Sequence, residues 1–234
     1  MKKIFTIALL SITTTLFATT NNVPADFATI QAALNAASTG DTITVDPGTY
    51  NENLTWPTTQ GIKLLSLGDS SNTIIDGGGT DRVLVFPSNS ANDTTTVVRG
   101  FKLTNGFTTS WSGGSGAGLK ITSSSPLIDQ VAIVNNFANG DRVYGAAVGI
   151  SGGSPVFRNT CVNYNSGNPT GGNYFYGGGV YMNSSANLLA ENCEFSYNNM
   201  NNTSRAYGCG IYLTGSTITL NSCTLSFNHA ISST

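Results

Sequence analysis

Asp129, Arg158 and Glu191 are the residues whose types and spacing could do acid–base chemistry in this 234-residue chain. They lie roughly thirty residues apart, so a chain wound at that period would set them in one column, a guanidinium between two carboxylates. A pair of carboxylates about 5–10 Å apart can hydrolyse a glycosidic bond. The same column can equally be a neutralised ladder of alternating charge, which is the simpler reading. A second set could bind rather than react. Tyr181 and Tyr212 share one outward position with Lys120, and Tyr144, Tyr176 and Tyr207 each stand just before a run of small residues. Trp111, Tyr174 and Phe175 fall in the segments between repeated phrases. Rows of amphipathic rings suit sugar rings or a protein partner; they could also simply stack and shield a sheet. The lone His229 is more simply incidental than a base. There is no Ser/His/Asp set, no Cys/His pair, no metal-ligand cluster and no phosphate-binding loop, so no cofactor or metal is expected.

The column that places these residues follows from two repeated phrases. The first is three small residues and an aliphatic one: Gly116-Ala117-Gly118-Leu119, Gly145-Ala146-Ala147-Val148, Gly177-Gly178-Gly179-Val180 and Gly208-Cys209-Gly210-Ile211. The second is apolar-x-x-Asn: Ile133 to Asn136, Val162 to Asn165, Phe195 to Asn198 and Leu225 to Asn228. A fixed period built from short β-type runs predicts stacked turns of a solenoid, since no single turn could bury its apolar face alone.

Alternation then separates inside from outside. Cys193, Phe195 and Tyr197 are expected inward, with their equivalents Val131, Ile133, Asn135; Thr160, Val162, Tyr164; and Cys223, Leu225, Phe227. Leu119 and Ile121, Val148 and Ile150, Val180 and Met182, and Ile211 and Leu213 line a second strand; Ile128, Phe157, Ala190 and Leu220 line a third. Three parallel strands per turn are expected. The column Asn136, Asn165, Asn198, Asn228 could hydrogen-bond along the axis. The charged column runs Arg99, Asp129, Arg158, Glu191, Asn221, with Asp76 expected in the preceding turn. Cys193 and Cys223 are neighbours across turns, within bridging range at strand spacing, and are read as buried thiols in preference to a disulfide.

Composition sets the outer bounds. Only 9% of residues are charged, against about 25% in ordinary globular proteins, and the net charge of −2 offers no attraction to nucleic acid. Met1-Lys2-Lys3 and the apolar stretch Ile4 to Phe17 predict a signal peptide over 1–18, too short to span a bilayer, and no other segment is apolar enough to do so. Residues 19–234 then form one β-helix domain, with a cap helix over about 26–39 started by Asp26 and regular turns from about 73. The last strand phrase stands close to Thr234, so the domain is expected to be C-terminally incomplete, its end covered by further sequence or a partner. No Thr-x-Thr array recurs at the period, which sets aside an ice-binding face.

Gly178-Gly179-Val180 and Phe195-Ser196-Tyr197-Asn198 resemble the repeat of the chlamydial polymorphic outer-membrane proteins; elsewhere Ile133, Val162 and Leu225 replace the Phe. The segment Phe27 to Leu54 is similar to the N-terminal cap of right-handed β-helix proteins of the pectin-lyase-like superfamily. The resemblance implies a right-handed parallel β-helix on a bacterial surface or in its surroundings. It leaves activity open, because that superfamily holds lyases, hydrolases, esterases and adhesive passengers. A lyase of that kind would add clustered acids for Ca²⁺ and a basic residue to take the proton. The sequence is therefore read as an all-β, right-handed parallel β-helix with an N-terminal helical cap. It is secreted or surface-attached, meets polysaccharide or cell-surface glycan, and does so without catalysis. The alternative is a polysaccharide lyase or hydrolase working through Asp129, Glu191 and Arg158 on an acidic polysaccharide.

Overall fold

Apolar side chains that recur once per turn bury one another only if successive turns lie in register. In the computed structural model they do. It describes residues 18–88, 92–109, 116–201, 203 and 205–231, with the backbone alone for 170–173. One turn runs through Leu127–Asp129, Ala132–Val134, Phe137–Tyr144 and Val148–Ser151, each strand joining a different parallel sheet. The first sheet, through Leu127–Asp129, holds eight strands; the second, through Ala132–Val134, seven; the third, through Val148–Ser151, six; and the fourth, through Phe137–Tyr144, six. They wind into a right-handed parallel β-helix, as expected. Ile133 pairs with Val162 and Val162 with Phe195, which pairs with Leu225 in turn. Leu119, Val148, Val180 and Ile211 stack likewise.

Four strands per turn replace the expected three. The extra one comes from Asn- and Gly-bearing segments that read as loops, yet Phe137–Tyr144 pairs along most of its length with Ser166–Tyr176. A small satellite core lies behind this fourth sheet, made of Ala138, Val143, Ala146, Phe175 and Met200.

The expected inward set also changes at one position. Asn105, Asn135, Tyr164, Tyr197 and Phe227 adopt φ between 53° and 58°, in the left-handed region. A single left-handed residue turns the chain sharply and resets the alternation. Tyr164, Tyr197 and Phe227 therefore point outward and stack on one another, with ring centroids 4.9 and 4.8 Å apart. The next residue turns inward instead, so Asn136, Asn165 and Asn198 are wholly buried. The other corner uses Gly100, Gln130, Asn159, Asn192 and Ser222 in the same conformation.

Burial obliges the asparagines to satisfy every polar group. Asn165 Oδ1 accepts from the Asn136 backbone N–H and side-chain Nδ2, at 2.9 and 3.0 Å. Its own Nδ2 donates to Ile133 O, Asn163 O and Asn198 Oδ1. The pattern repeats from Asn198 to Asn228. The glycine phrase exists partly to make room for this column. A Cβ on Gly118 would lie 2.7 Å from Asn136 Nδ2, and one on Gly210 2.9 Å from Asn228 Nδ2. The two repeated phrases are thus the two sides of one contact.

The cap helix is shorter than expected, Ile30–Ala36. Thr29, not Asp26, caps it, its Oγ1 accepting from the Ala32 N–H at 3.1 Å. Asp26 is drawn away to Asn22, whose backbone and side-chain nitrogens both donate to Oδ2 at 2.7 Å. The Glu52 carboxylate accepts from the N–H groups of Ile30 and Gln31, and Ile30, Ala33 and Leu34 close the end of the core. Residues 1–17 of the expected signal segment lie outside the described residues. No helix among the described residues is long and apolar enough to cross a membrane.

Candidate functional site

The charged column forms in register: Arg99, Asp129, Arg158, Glu191 and Asn221 occupy paired positions in the first sheet. It divides into two ion pairs. Arg99 Nε meets Asp129 Oδ2 at 3.0 Å, and Arg158 Nε meets Glu191 Oε2 at 2.7 Å. Asn159 Nδ2 takes the remaining Asp129 oxygen at 3.1 Å. Glu191, through its hydrogen bond and its charge, raises the Arg158 pKa further above the ordinary arginine value. Both carboxylates of the candidate acid–base trio are therefore already held by guanidinium groups, two turns or roughly 10 Å apart by strand spacing. Asp76 is not in this column. It lies in the second sheet, paired with Thr104, and accepts from Asn105 Nδ2.

The tyrosines come together at the junction of the fourth and third sheets. Tyr144, Tyr176 and Tyr207 stack face to face at 4.9 and 5.0 Å, within 8° of parallel. Tyr181 and Tyr212 pair in register around the corner, centroids 6.0 Å apart. Tyr181 is only 6% exposed, because the edge of Tyr144 packs on it. Burial pushes the phenols of Tyr181 and Tyr176 above the usual tyrosine range. The ladder rings also cover each other's faces, and Tyr144 and Tyr176 are half-buried.

Two residues that sequence reasoning passed over complete this surface. Arg142, Tyr174 and Arg205 are register partners two places before Tyr144, Tyr176 and Tyr207. Each guanidinium carbon lies 5.2 Å from the Tyr174 ring centroid, a cation on either side of one ring. Arg205 Nη1 donates to the Tyr174 hydroxyl at 2.8 Å, and the Tyr144 hydroxyl holds the Arg142 pKa above its ordinary value. The signal was present as Arg142-x-Tyr144, Tyr174-x-Tyr176 and Arg205-x-Tyr207 at one repeat position. The ion pairs of the described residues, Arg82–Asp81, Arg99–Asp129 and Arg158–Glu191, leave Arg142 and Arg205 out.

Lys120 does not join them. Gly149 stands between it and Tyr181 in the third sheet, and Lys120 is half-buried, its pKa lowered by burial and by Arg82. Trp111 lies outside the described residues. Cys193 and Cys223 are thiols, not a disulfide. The Cys193 thiol donates to Glu191 O, and burial pushes it up to about 11.

No protein-family model matches the chain, and no curated protein matches it. Among solved structures it is similar to the pectin methylesterase PemA of Erwinia chrysanthemi, at 17% identity and a TM-score of 0.43, over 90% of this chain and 68% of that one. It is also similar to a pectin methylesterase in complex with a hexasaccharide, at 18% identity and a TM-score of 0.42, over 88% of this chain and 67% of that one. Likeness of this degree concerns the winding alone, and no residue role is carried across.

Proposed function

We propose that this chain is an exported, non-catalytic β-helix of passenger type that contacts polysaccharide or cell-surface glycan through its tyrosine–arginine face. The observation that carries this reading is the ladder Tyr144–Tyr176–Tyr207 beside the column Arg142–Tyr174–Arg205. The face sets phenol rings about one strand spacing apart, beside two guanidinium groups that enter no ion pair of the described residues. Such groups donate hydrogen bonds to glycan oxygens and charge-assisted ones to carboxylates, so acidic glycans fit best. Secretion or attachment at a bacterial outer membrane, and a role in adhesion, belong to the same proposal. They are supported by the Lys2-Lys3 start with its apolar stretch and by the resemblance of the repeat to chlamydial outer-membrane proteins.

A lyase or hydrolase acting through Asp129, Glu191 and Arg158 is the weaker reading, because each carboxylate already serves as the partner of an arginine. The test is retention of purified protein on immobilised polygalacturonate, with and without Ca²⁺, alongside assays for new reducing ends and unsaturated products. Retention without products, lost in Arg142→Ala/Arg205→Ala, is expected. Product release, or retention that survives the double substitution, overturns the proposal.

A further inference from the structure

The corner where the second sheet meets the fourth carries a different surface. A groove of about 550 Å³ is lined by Asn51, Asp76, Asn105, Asn135, Phe107 and Phe137, with Gly78 and Gly79 at its edge. That size suits a small ligand. The half-buried rings of Phe107 and Phe137 stack at 6.1 Å and form an apolar floor. Above them stand three amides and one carboxylate, and no cation is among the lining residues. Asp76 is already fixed: Oδ1 accepts from the Gly78 N–H and Oδ2 from Asn105 Nδ2, both at 2.8 Å. Each of its oxygens retains a lone pair. Asn51 and Asn135 are exposed.

Tyr164 supplies what the tyrosine ladder cannot. It follows Asn135 by one turn at the same left-handed position and is 57% exposed. Tyr197 covers one face of its ring, and the other looks toward Asn135, whose side chain is far smaller than the ring. Tyr164 stands one turn beyond Asn135, the last groove residue in its column, and about three strand spacings from the level of Asp76. An open aromatic face at the end of a row of planar amides and a fixed carboxylate suits an oligosaccharide, one pyranose with its C–H face on the ring and the neighbouring ones sharing their hydroxyls among amides and carboxylate. The fixed negative charge of Asp76 and the lack of a cation disfavour an anionic sugar.

From this arrangement we infer that the corner formed by Asp76, Asn105, Asn135, Phe107, Phe137 and Tyr164 is a binding site for a neutral oligosaccharide. It lies at the Phe137 end of the strand whose Tyr144 end carries the tyrosine–arginine face. The two sites are separate, and neither reading depends on the other.

The experiment is calorimetric or NMR titration of the full chain with neutral gluco-, manno-, xylo- and chito-hexaoses, with a hexagalacturonate as the charged comparison. The variants are Tyr164→Asn and Asn135→Gly, both of which tolerate the left-handed backbone. At least one neutral hexaose is expected to bind, with affinity falling about tenfold in Tyr164→Asn and several-fold in Asn135→Gly. Tyr176→Phe/Tyr207→Phe is expected to leave that affinity unchanged, so a failure of the tyrosine–arginine proposal is read separately. Circular dichroism of each variant identifies any loss due to misfolding, and Tyr164→Phe, which keeps the ring, is expected to bind as the parent does. Absence of binding to every neutral hexaose overturns the inference. So does affinity unaffected by Tyr164→Asn in folded protein, or tighter binding of the uronate at this corner.

Discussion

Two columns of identical residues climb this molecule at the same spacing and do opposite things. The asparagine column is wholly buried at Asn165 and Asn198, and Asn165 feeds its donors and acceptor into neighbouring turns. The tyrosine column covers its ring faces internally but stands at the surface, with Tyr144 and Tyr176 half-buried. Repetition thus produces rigidity where the polar groups are enclosed, and where they are not it produces the face proposed above to meet glycan. The amide groups are used up in holding the turns together; the guanidinium groups of Arg142 and Arg205 hold only the rings and hydroxyls beside them and enter no ion pair of the described residues.

Breaking the buried column is expected to have the largest effect. Asn165→Ala leaves the Asn136 N–H and the carbonyls of Ile133 and Asn163 without their partner, in an interior where each orphan costs about 1–3 kcal/mol. A loss of about 3 kcal/mol in chemical denaturation is expected, and a loss below about 1 kcal/mol would show that the column is not structural. The charged column ranks next. Arg158→Ala removes one half-exposed pair, whereas Arg158→Glu sets like charges on Asp129, the new Glu and Glu191. The second change is expected to cost about 1 kcal/mol more than the first, and equal losses would remove the ladder as a determinant of register.

Alkaline titration sharpens the comparison further. Asparagine does not titrate. The Tyr176 pKa is raised by burial first and then by Tyr144, Tyr207 and Tyr212. A pKa higher in the folded chain than in the unfolded one means stability that is complete below about pH 10 and is lost as pH climbs through the raised value. Phenolate absorbance of Tyr176 is expected to appear later than in a denatured control; in Tyr144→Phe/Tyr207→Phe protein it is expected to appear earlier than in the parent and still after the control, because burial is the larger cause, and no change from the parent would show that the neighbouring phenols are irrelevant.

The repeat made both columns legible. The aligned phrases give the register from Ile133 to Leu225 and the glycine positions that admit the asparagines. The corners were legible only in outline. A left-handed residue reverses the alternation, and Tyr164, Tyr197 and Phe227 look inward on a strict period of two. Asn105 and Asn135 in that column, and Gly100 in the other, were the available signal, since Asn and Gly enter that conformation most readily. The fourth sheet was hidden by its irregular length, and with it the alignment of Arg142 and Arg205 on Tyr174. Asp76 was misplaced because turns before the regular repeats lack the phrases that anchor the count.

The smallest stability effect carries the greatest functional weight. Tyr176→Phe/Tyr207→Phe keeps every ring contact and removes only two hydroxyls, so the unfolding free energy is expected to stay within about 0.5 kcal/mol of the parent. Retention of this folded variant on immobilised polygalacturonate is the most direct measurement of whether the exposed column is a contact surface. A drop of about tenfold is expected. Retention equal to that of the parent would contradict the division between a structural and a recognising column.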